Sequence, residues 1–310
     1  MGRSHSILAF IRLGRPHFLV GGLVLYSLGV AIALFRGAPF HWSAFVWGQI
    51  AVTGIQWMTH YANEYFDLET DRANRHRTRW AGGSGILPSA VLHPWIALVA
   101  ACILSLIVLI ATLVLVFGVR TGYLTLPLIS FAWLLAWFYS APPLKLHSTG
   151  LGEFTTAFLV PVLTPLVGFY LQTGLVASLP LMATVPLAAF QFAFLLVIEF
   201  PDAESDRLFG KRTLVVRLGS ASAVRMHNLA LLFAYVSLPG LILAGLPPVV
   251  AGAFLPGLPL ASWQIWRMTR GAATKPIHWD DLALVNILLL IGSAGAELLI
   301  FGGLAYWGIS

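Results

Sequence analysis

An all-helical bundle embedded in a membrane is the fold this sequence predicts, and three observations carry the prediction. Of 310 residues, 58% are hydrophobic and only 10% charged, against about 25% charged in soluble domains. Mean hydropathy is +0.85. The apolar residues also gather into runs of the roughly 20 residues that a spanning helix needs.

About nine such runs are expected, near 18–35, 43–62, 93–117, 122–139, 152–173, 178–198, 222–245, 247–264 and 283–306. The eighth holds Pro247, Pro248, Pro256 and Pro259; proline is tolerated in lipid where neighbouring helices satisfy the freed carbonyls. No stretch resembles a cleavable signal peptide, since no small-residue cleavage site follows the first apolar run. The single cysteine, Cys102, excludes an intramolecular disulfide and a cysteine metal site, and reads as a small packing residue.

The net charge of +6 would suit an acidic partner such as nucleic acid, but its distribution argues for topology instead. Placing the N-terminus on one side puts 16 of the 18 cations there, leaving only Arg36 and Arg120 opposite. The positive-inside rule makes that side cytoplasmic. An integral protein of the cytoplasmic membrane is expected, with its N-terminus inside.

Eight of the twelve acids fall in two clusters. The first, NEYFDLETD at 63–71, ends the second run; the other, in EFPDAESDRLFGKRTL at 199–214, ends the sixth. Asp67 and Asp202, like Asp71 and Asp206, are 135 residues apart. Both clusters therefore emerge on the cytoplasmic side, as a weak parallel repeat of four helices each, roughly 18–140 and 152–265, plus a last helix, all in one domain. Residues i and i+4 share a helix face, so Asn63, Asp67 and Asp71 form one polar stripe and Asp202 with Asp206 another. Carboxylates stacked this way repel and demand a cation. Oxygen ligands from two helices suit Mg²⁺, which commonly bridges carboxylates to substrate phosphates. The competing reading is a solvated helix end whose acids pair with nearby arginines; it suits Glu64 and Glu69, which lie off the stripe.

Between the clusters runs YSAPPLKLHSTGLGE, 139–153, where Pro142 and Pro143 end the helix. Lys145 there is either a point charge for a phosphate or a loop cation that sets topology. Tyr139 and Ser140 flank it. GKRT at 210–213 offers Lys211 after a glycine, without the spacing of a nucleotide-binding phosphate loop.

These stretches together resemble the UbiA superfamily of intramembrane prenyltransferases. NEYFDLETD looks like its NDxxDxxxD signature, DAESDRLFGKRTLVVRLG like its second DxxxD motif with trailing GKxTL and RLG, and YSAPPLKL like its YSxPPLK loop. The match covers residues 10–220. AGGSGILP at 81–88, GLGE at 150–153 and GFYLQTG at 168–174 are most similar to the 1,4-dihydroxy-2-naphthoate branch. The R-T-x-x-R-P run of other branches is only half present at Arg77, Thr78 and Arg79. Ile198 and Glu199 stand where the branch often has asparagines, which puts acceptor binding in question there.

The resemblance implies a helical bundle with a central cavity open to the cytoplasm and a Mg²⁺-dependent transfer of a polyprenyl group from its diphosphate to dihydroxynaphthoate. Demethylmenaquinone would result. Asn63, Asp67 and Asp71 would hold one Mg²⁺, and Asp202 with Asp206 a second. Lys145, Arg72, Arg207 and Lys211, with Asn63 and Ser140, would bind the diphosphate, and Tyr139 would steady the allylic cation. Homogentisate, 4-hydroxybenzoate or a chlorophyll-type acceptor is the alternative within this class. A cation-coupled transporter is the alternative outside it, though transporters place their sites near the midplane.

Overall fold

In a computed structural model of the chain, residues 3–308 are described, and these contain helices and no strand. A short helix α1 (Arg3–Leu13) precedes α2 (Pro16–Phe35) and α3 (Trp42–Phe66). The short α4 (Leu68–Ala73) leads through a glycine-rich loop to α5 (Trp95–Val119) and α6 (Thr125–Ser140). Next come α7 (Gly152–Thr173) and α8 (Ser178–Glu199), then two short helices, α9 (Ala203–Leu208) and α10 (Leu214–Leu218). The chain closes with α11 (Ser220–Leu243), α12 (Pro248–Thr269) and α13 (Pro276–Trp307).

Seven of these, α2, α5, α7, α8, α11, α12 and α13, are long and apolar enough to cross a membrane. Of the nine expected spans, the other two depart for different reasons. The α6 helix is apolar but has only 16 residues, because Arg120 and Gly122 take positive φ and delay its start. The α3 helix has 25 residues but carries Gln49, Thr53, Gln56, His60, Asn63 and Asp67 at alternating spacings of four and three. That spacing builds a polar stripe down one face, which depresses its hydropathy while leaving the rest of the helix apolar.

Packing follows from small residues. An added Cβ on Gly29 of α2 would fall 1.8 Å from the Pro165 carbonyl oxygen of α7, and one on Gly168 would fall 2.3 Å from the Tyr26 carbonyl oxygen. Glycine at both positions is what lets the two backbones approach this closely. Around that contact α3 packs on α5, α11 on α8, and α13 on both α2 and α8. Pro161 lies in a π-helical stretch of α7 (Leu159–Leu163), the widening expected where proline removes a hydrogen bond. Cys102 is exposed on α5, beside the exposed Val99, Ile103 and Leu106, so it is not a packing residue between the described helices.

Candidate active site

The helices enclose a cavity of about 410 Å³ between α2, α3, α6, α7, α8 and α13. Asn63, Asp67, Asp71, Asp202, Asp206 and Lys211 line its polar end; Ile55, Leu163, Val167 and Leu290 are among the apolar walls.

Both acidic clusters reach this end because each long helix breaks without losing register. Asp67 terminates α3 with φ −98° and ψ 4°, yet its N–H donates to the Asn63 carbonyl (2.9 Å) and Asp71 N–H to the Asp67 carbonyl (2.9 Å). The four-residue spacing survives the break, so the three side chains stay on one face. After α8, Asp206 N–H likewise donates to the Asp202 carbonyl at 2.8 Å.

Lys211 then ties the clusters together. Its N–H donates to the Asp206 carbonyl (2.8 Å), and its Nζ lies 3.0 Å from Asp67 Oδ2 and 3.6 Å from Asp206 Oδ1. Asp67 has further partners: His147 Nε2 at 2.8 Å from Oδ1, and Asn63 Nδ2, which donates to Oδ2 at 2.6 Å and to Ser140 Oγ at 3.1 Å. Burial alone would raise the Asp67 pKa, but the charges of His147 and Lys211 outweigh it and hold the carboxyl well below the usual range. Lys211 is held above its usual value, because Asp67 and Asp206 outweigh the effect of burial.

Asp71 and Asp202 are placed differently. Among the described residues neither has an ion pair. Asp202 accepts from Asn74 Nδ2 (2.6 Å) and the Gly82 N–H (3.2 Å). Asp71 lies under the glycine loop, where a Cβ on Gly83 would come 2.1 Å from its Oδ2. Burial, reinforced by Asp206, pushes Asp202 up to about 7. Burial, with Asp67 and Glu64 adding to it, lifts Asp71 well above the usual carboxylate range. Asp206 is raised by burial against the pull of Lys211.

Several residues singled out in the sequence stand elsewhere. Tyr139 lines the cavity and Ser140 is buried as the acceptor for Asn63. Lys145 is exposed, in a left-handed conformation with φ 43°, and is not on the cavity wall. The residue of that loop that reaches the aspartates is His147. Its Nδ1 faces the Tyr139 carbonyl at 2.6 Å and its Nε2 faces Asp67. Arg72 is exposed and paired with Glu69 at 2.7 Å; Arg207 is exposed as well. His60 and Gln191 both line the cavity.

Glu64 is not the solvated bystander its sequence position suggested. It is 1% exposed, accepts from Arg15 Nε (3.0 Å), and receives both the Ser84 N–H (2.6 Å) and hydroxyl (2.7 Å). That network pins the glycine loop over the acids. The clue was available: a serine between glycines after the motif and an arginine before the first span.

The donors suit a hard divalent cation, being four carboxylates and one amide oxygen. Among the described residues no three His, Cys, Asp or Glu side chains stand ready-grouped at ligand distance, and Lys211 already holds positive charge between Asp67 and Asp206. Asp71 and Asp202 are the carboxylates without such a charge.

Residues 23–303 match the family model described as the UbiA prenyltransferase family. The chain is 24% identical over 243 residues, 76% of its length and 73% of the relative's, to the 1,4-dihydroxy-2-naphthoate octaprenyltransferase of Bacillus subtilis. Among solved structures, a UbiA homologue from Aeropyrum pernix K1 superposes with a TM-score of 0.67 at 17% identity, covering 89% of this chain and 97% of that one. A UbiA homologue from Archaeoglobus fulgidus, bound to GPP and Mg²⁺, gives 0.64 at 16% identity, covering 97% and 99%.

Proposed function

Because the chain belongs to the UbiA prenyltransferase family and is an integral membrane prenyltransferase, we propose that it transfers a polyprenyl group from a polyprenyl diphosphate to 1,4-dihydroxy-2-naphthoate. The reaction depends on Mg²⁺ and opens to the cytoplasmic side of the cytoplasmic membrane. One observation carries this reading: two acidic clusters 135 residues apart converge with Lys211 at the polar end of a cavity whose remaining wall is mostly apolar. A diphosphate headed into the acids and an isoprenoid tail against the apolar wall match that division. The naphthoate acceptor is supported by the Bacillus subtilis relative and by the 81–88, 150–153 and 168–174 stretches.

Asn63, Asp67 and Asp71 from the first cluster, and Asp202 and Asp206 from the second, hold the divalent ions. When bound, these supply positive charge that stabilises the departing diphosphate; the A. fulgidus homologue carries Mg²⁺ together with its prenyl diphosphate. Lys211 neutralises part of the diphosphate charge, and Asn63 and Ser140 orient it. Tyr139 offers its ring face to the allylic cation. The apolar wall keeps water from that cation, which would otherwise be captured as an alcohol. Glu64, paired with Arg15, holds the glycine loop over Asp71.

The test is direct. Purified protein given Mg²⁺, a polyprenyl diphosphate and dihydroxynaphthoate should release pyrophosphate and yield a prenylated naphthoquinone by mass spectrometry. Asp67→Ala and Asp202→Ala should abolish both. Prenylation of homogentisate or 4-hydroxybenzoate in preference to the naphthoate would overturn the acceptor.

A further inference from the structure

A second pair of carboxyls, of which Glu199 lies on the cavity wall and Glu153 behind it, is not used by the diphosphate site. Glu153, in the first turn of α7, is 0% exposed. Its Oε1 accepts from the Leu214 N–H at 2.5 Å, while its Oε2 is buried with no partner. Glu199, the last residue of α8, lines the cavity with its Oε2 also buried and unpartnered. The two side chains lie close to one another, and among the described residues no cation pairs with either.

Two neighbouring carboxyls without a cation repel one another when both are charged. The pair therefore stands at the edge of a reaction cavity with no counter-ion among the described residues. Burying such a group is costly unless it is satisfied, so its retention calls for a use. The groups facing Glu199 are Glu153, Asp206, Tyr139 and the Val215 N–H. Position matters as well. Glu199 ends α8 three residues before Asp202, and both line the same cavity.

We propose that Glu199, held in place by Glu153, takes the hydroxyl proton of the phenolic acceptor as the new carbon–carbon bond forms. The inference rests on the prenyl-transfer reading above. The O–H bond breaks and its electron pair flows into the ring. The ring carbon bonds to the allylic carbon, whose C–O bond breaks, its pair leaving with the diphosphate. The resulting dienone regains aromaticity by losing its displaced ring substituent, either as released carbon dioxide or as a proton taken up by the departed diphosphate. The electron pair of that bond returns to the oxygen, and Glu199 gives its proton back to the phenolate so formed. Atoms and charge balance without any further reagent.

The test compares Glu199→Gln, which preserves shape, with Glu199→Ala. Both should bind geranyl diphosphate with Mg²⁺ within about twofold of the unaltered chain, while kcat toward dihydroxynaphthoate falls at least about 100-fold, the usual scale for a lost general base. Acetate should restore Glu199→Ala at least about tenfold, and chloride at equal ionic strength should not. Glu153→Gln, which keeps the shape of the neighbour, should leave diphosphate binding within about twofold and lower kcat less than Glu199→Gln does. Near-normal kcat in Glu199→Gln overturns the proposal, as does loss of diphosphate binding in the same proportion as turnover, which would assign Glu199 to the diphosphate site. Should Glu199→Gln not fold, acetate rescue of Glu199→Ala decides, and absence of rescue overturns it. Wild-type protein that prenylates no phenol overturns the acceptor reading and this inference together. Normal wild-type turnover beside an unimpaired Glu199→Gln overturns this inference alone.

Discussion

Asp67 and Asp206 share the cavity's polar end with Asp71 and Asp202, yet the two couples live in opposite electrostatic conditions. The first is bridged by the Lys211 ammonium, with His147 on its outer side. Among the described residues the second has no ion pair: Asp202 accepts from the Asn74 amide and the Gly82 N–H, and Asp71 lies under Gly83. Each couple takes one aspartate from each motif, so the division runs across the repeat and not between its copies. The lesson is that identical motifs become unequal through one loop each. The loop carrying Lys211 neutralises its couple in advance, while the loop carrying Gly82 and Gly83 leaves its couple wanting a cation.

The comparison can be broken most severely at the unneutralised couple. Asp202→Asn or Asp71→Asn should lower prenyl transfer by on the order of 10³-fold, the scale of losing charge stabilisation in a buried site, measured as pyrophosphate release. Lys211→Met should make the first couple resemble the second. A loss in kcat/KM of about 100-fold is expected, with most of it in diphosphate affinity. Gly83→Ala places a Cβ against Asp71 at a φ of +72°, so activity should fall about tenfold or more while folding loses only about 1–3 kcal/mol from the strained backbone.

A pH experiment sharpens the same contrast. Asp202 is pushed up to about 7 in the folded chain, by burial and then by Asp206, against about 3.9 for an unperturbed aspartate. The folded state therefore holds this proton more tightly than the unfolded state. The stabilisation so gained is present below about pH 4 and is lost as pH rises toward 7. Bound Mg²⁺ favours the ionised form and should restore what is lost. Thermal unfolding should accordingly show a larger Mg²⁺ shift at pH 7.5 than at pH 5.5; equal shifts would mean that Asp202 does not serve the cation. The smallest effect is expected in the 139–153 loop. His147→Ala should cost about tenfold in turnover, and Lys145→Ala less than about threefold, because only His147 touches an aspartate.

How much of this was legible beforehand follows from what each signal measures. Lipid-facing helices announce themselves by composition, so α2, α5, α7 and α8 fall within a few residues of their expected bounds. The α3 stripe escaped notice because its polar residues recur at helical spacing inside an apolar run, which lowers hydropathy without interrupting it. The four aspartates were readable from i, i+4 spacing, and the four-residue hydrogen bonds survive each helix break. The partners of those acids were not. Whether Lys145 or His147 turns inward depends on the left-handed backbone at Lys145, and that Glu64 anchors the glycine loop depends on a contact between residues 64 and 84. Such three-dimensional closures leave no local pattern in a single sequence.

Binding of geranyl diphosphate, titrated with and without Mg²⁺, tests most directly whether the two acidic clusters form one site. The account predicts Mg²⁺-dependent binding by the unaltered chain and at least a tenfold loss of affinity in both Asp67→Asn and Asp202→Asn, each of which leaves the other cluster intact. Full affinity in either variant would contradict it.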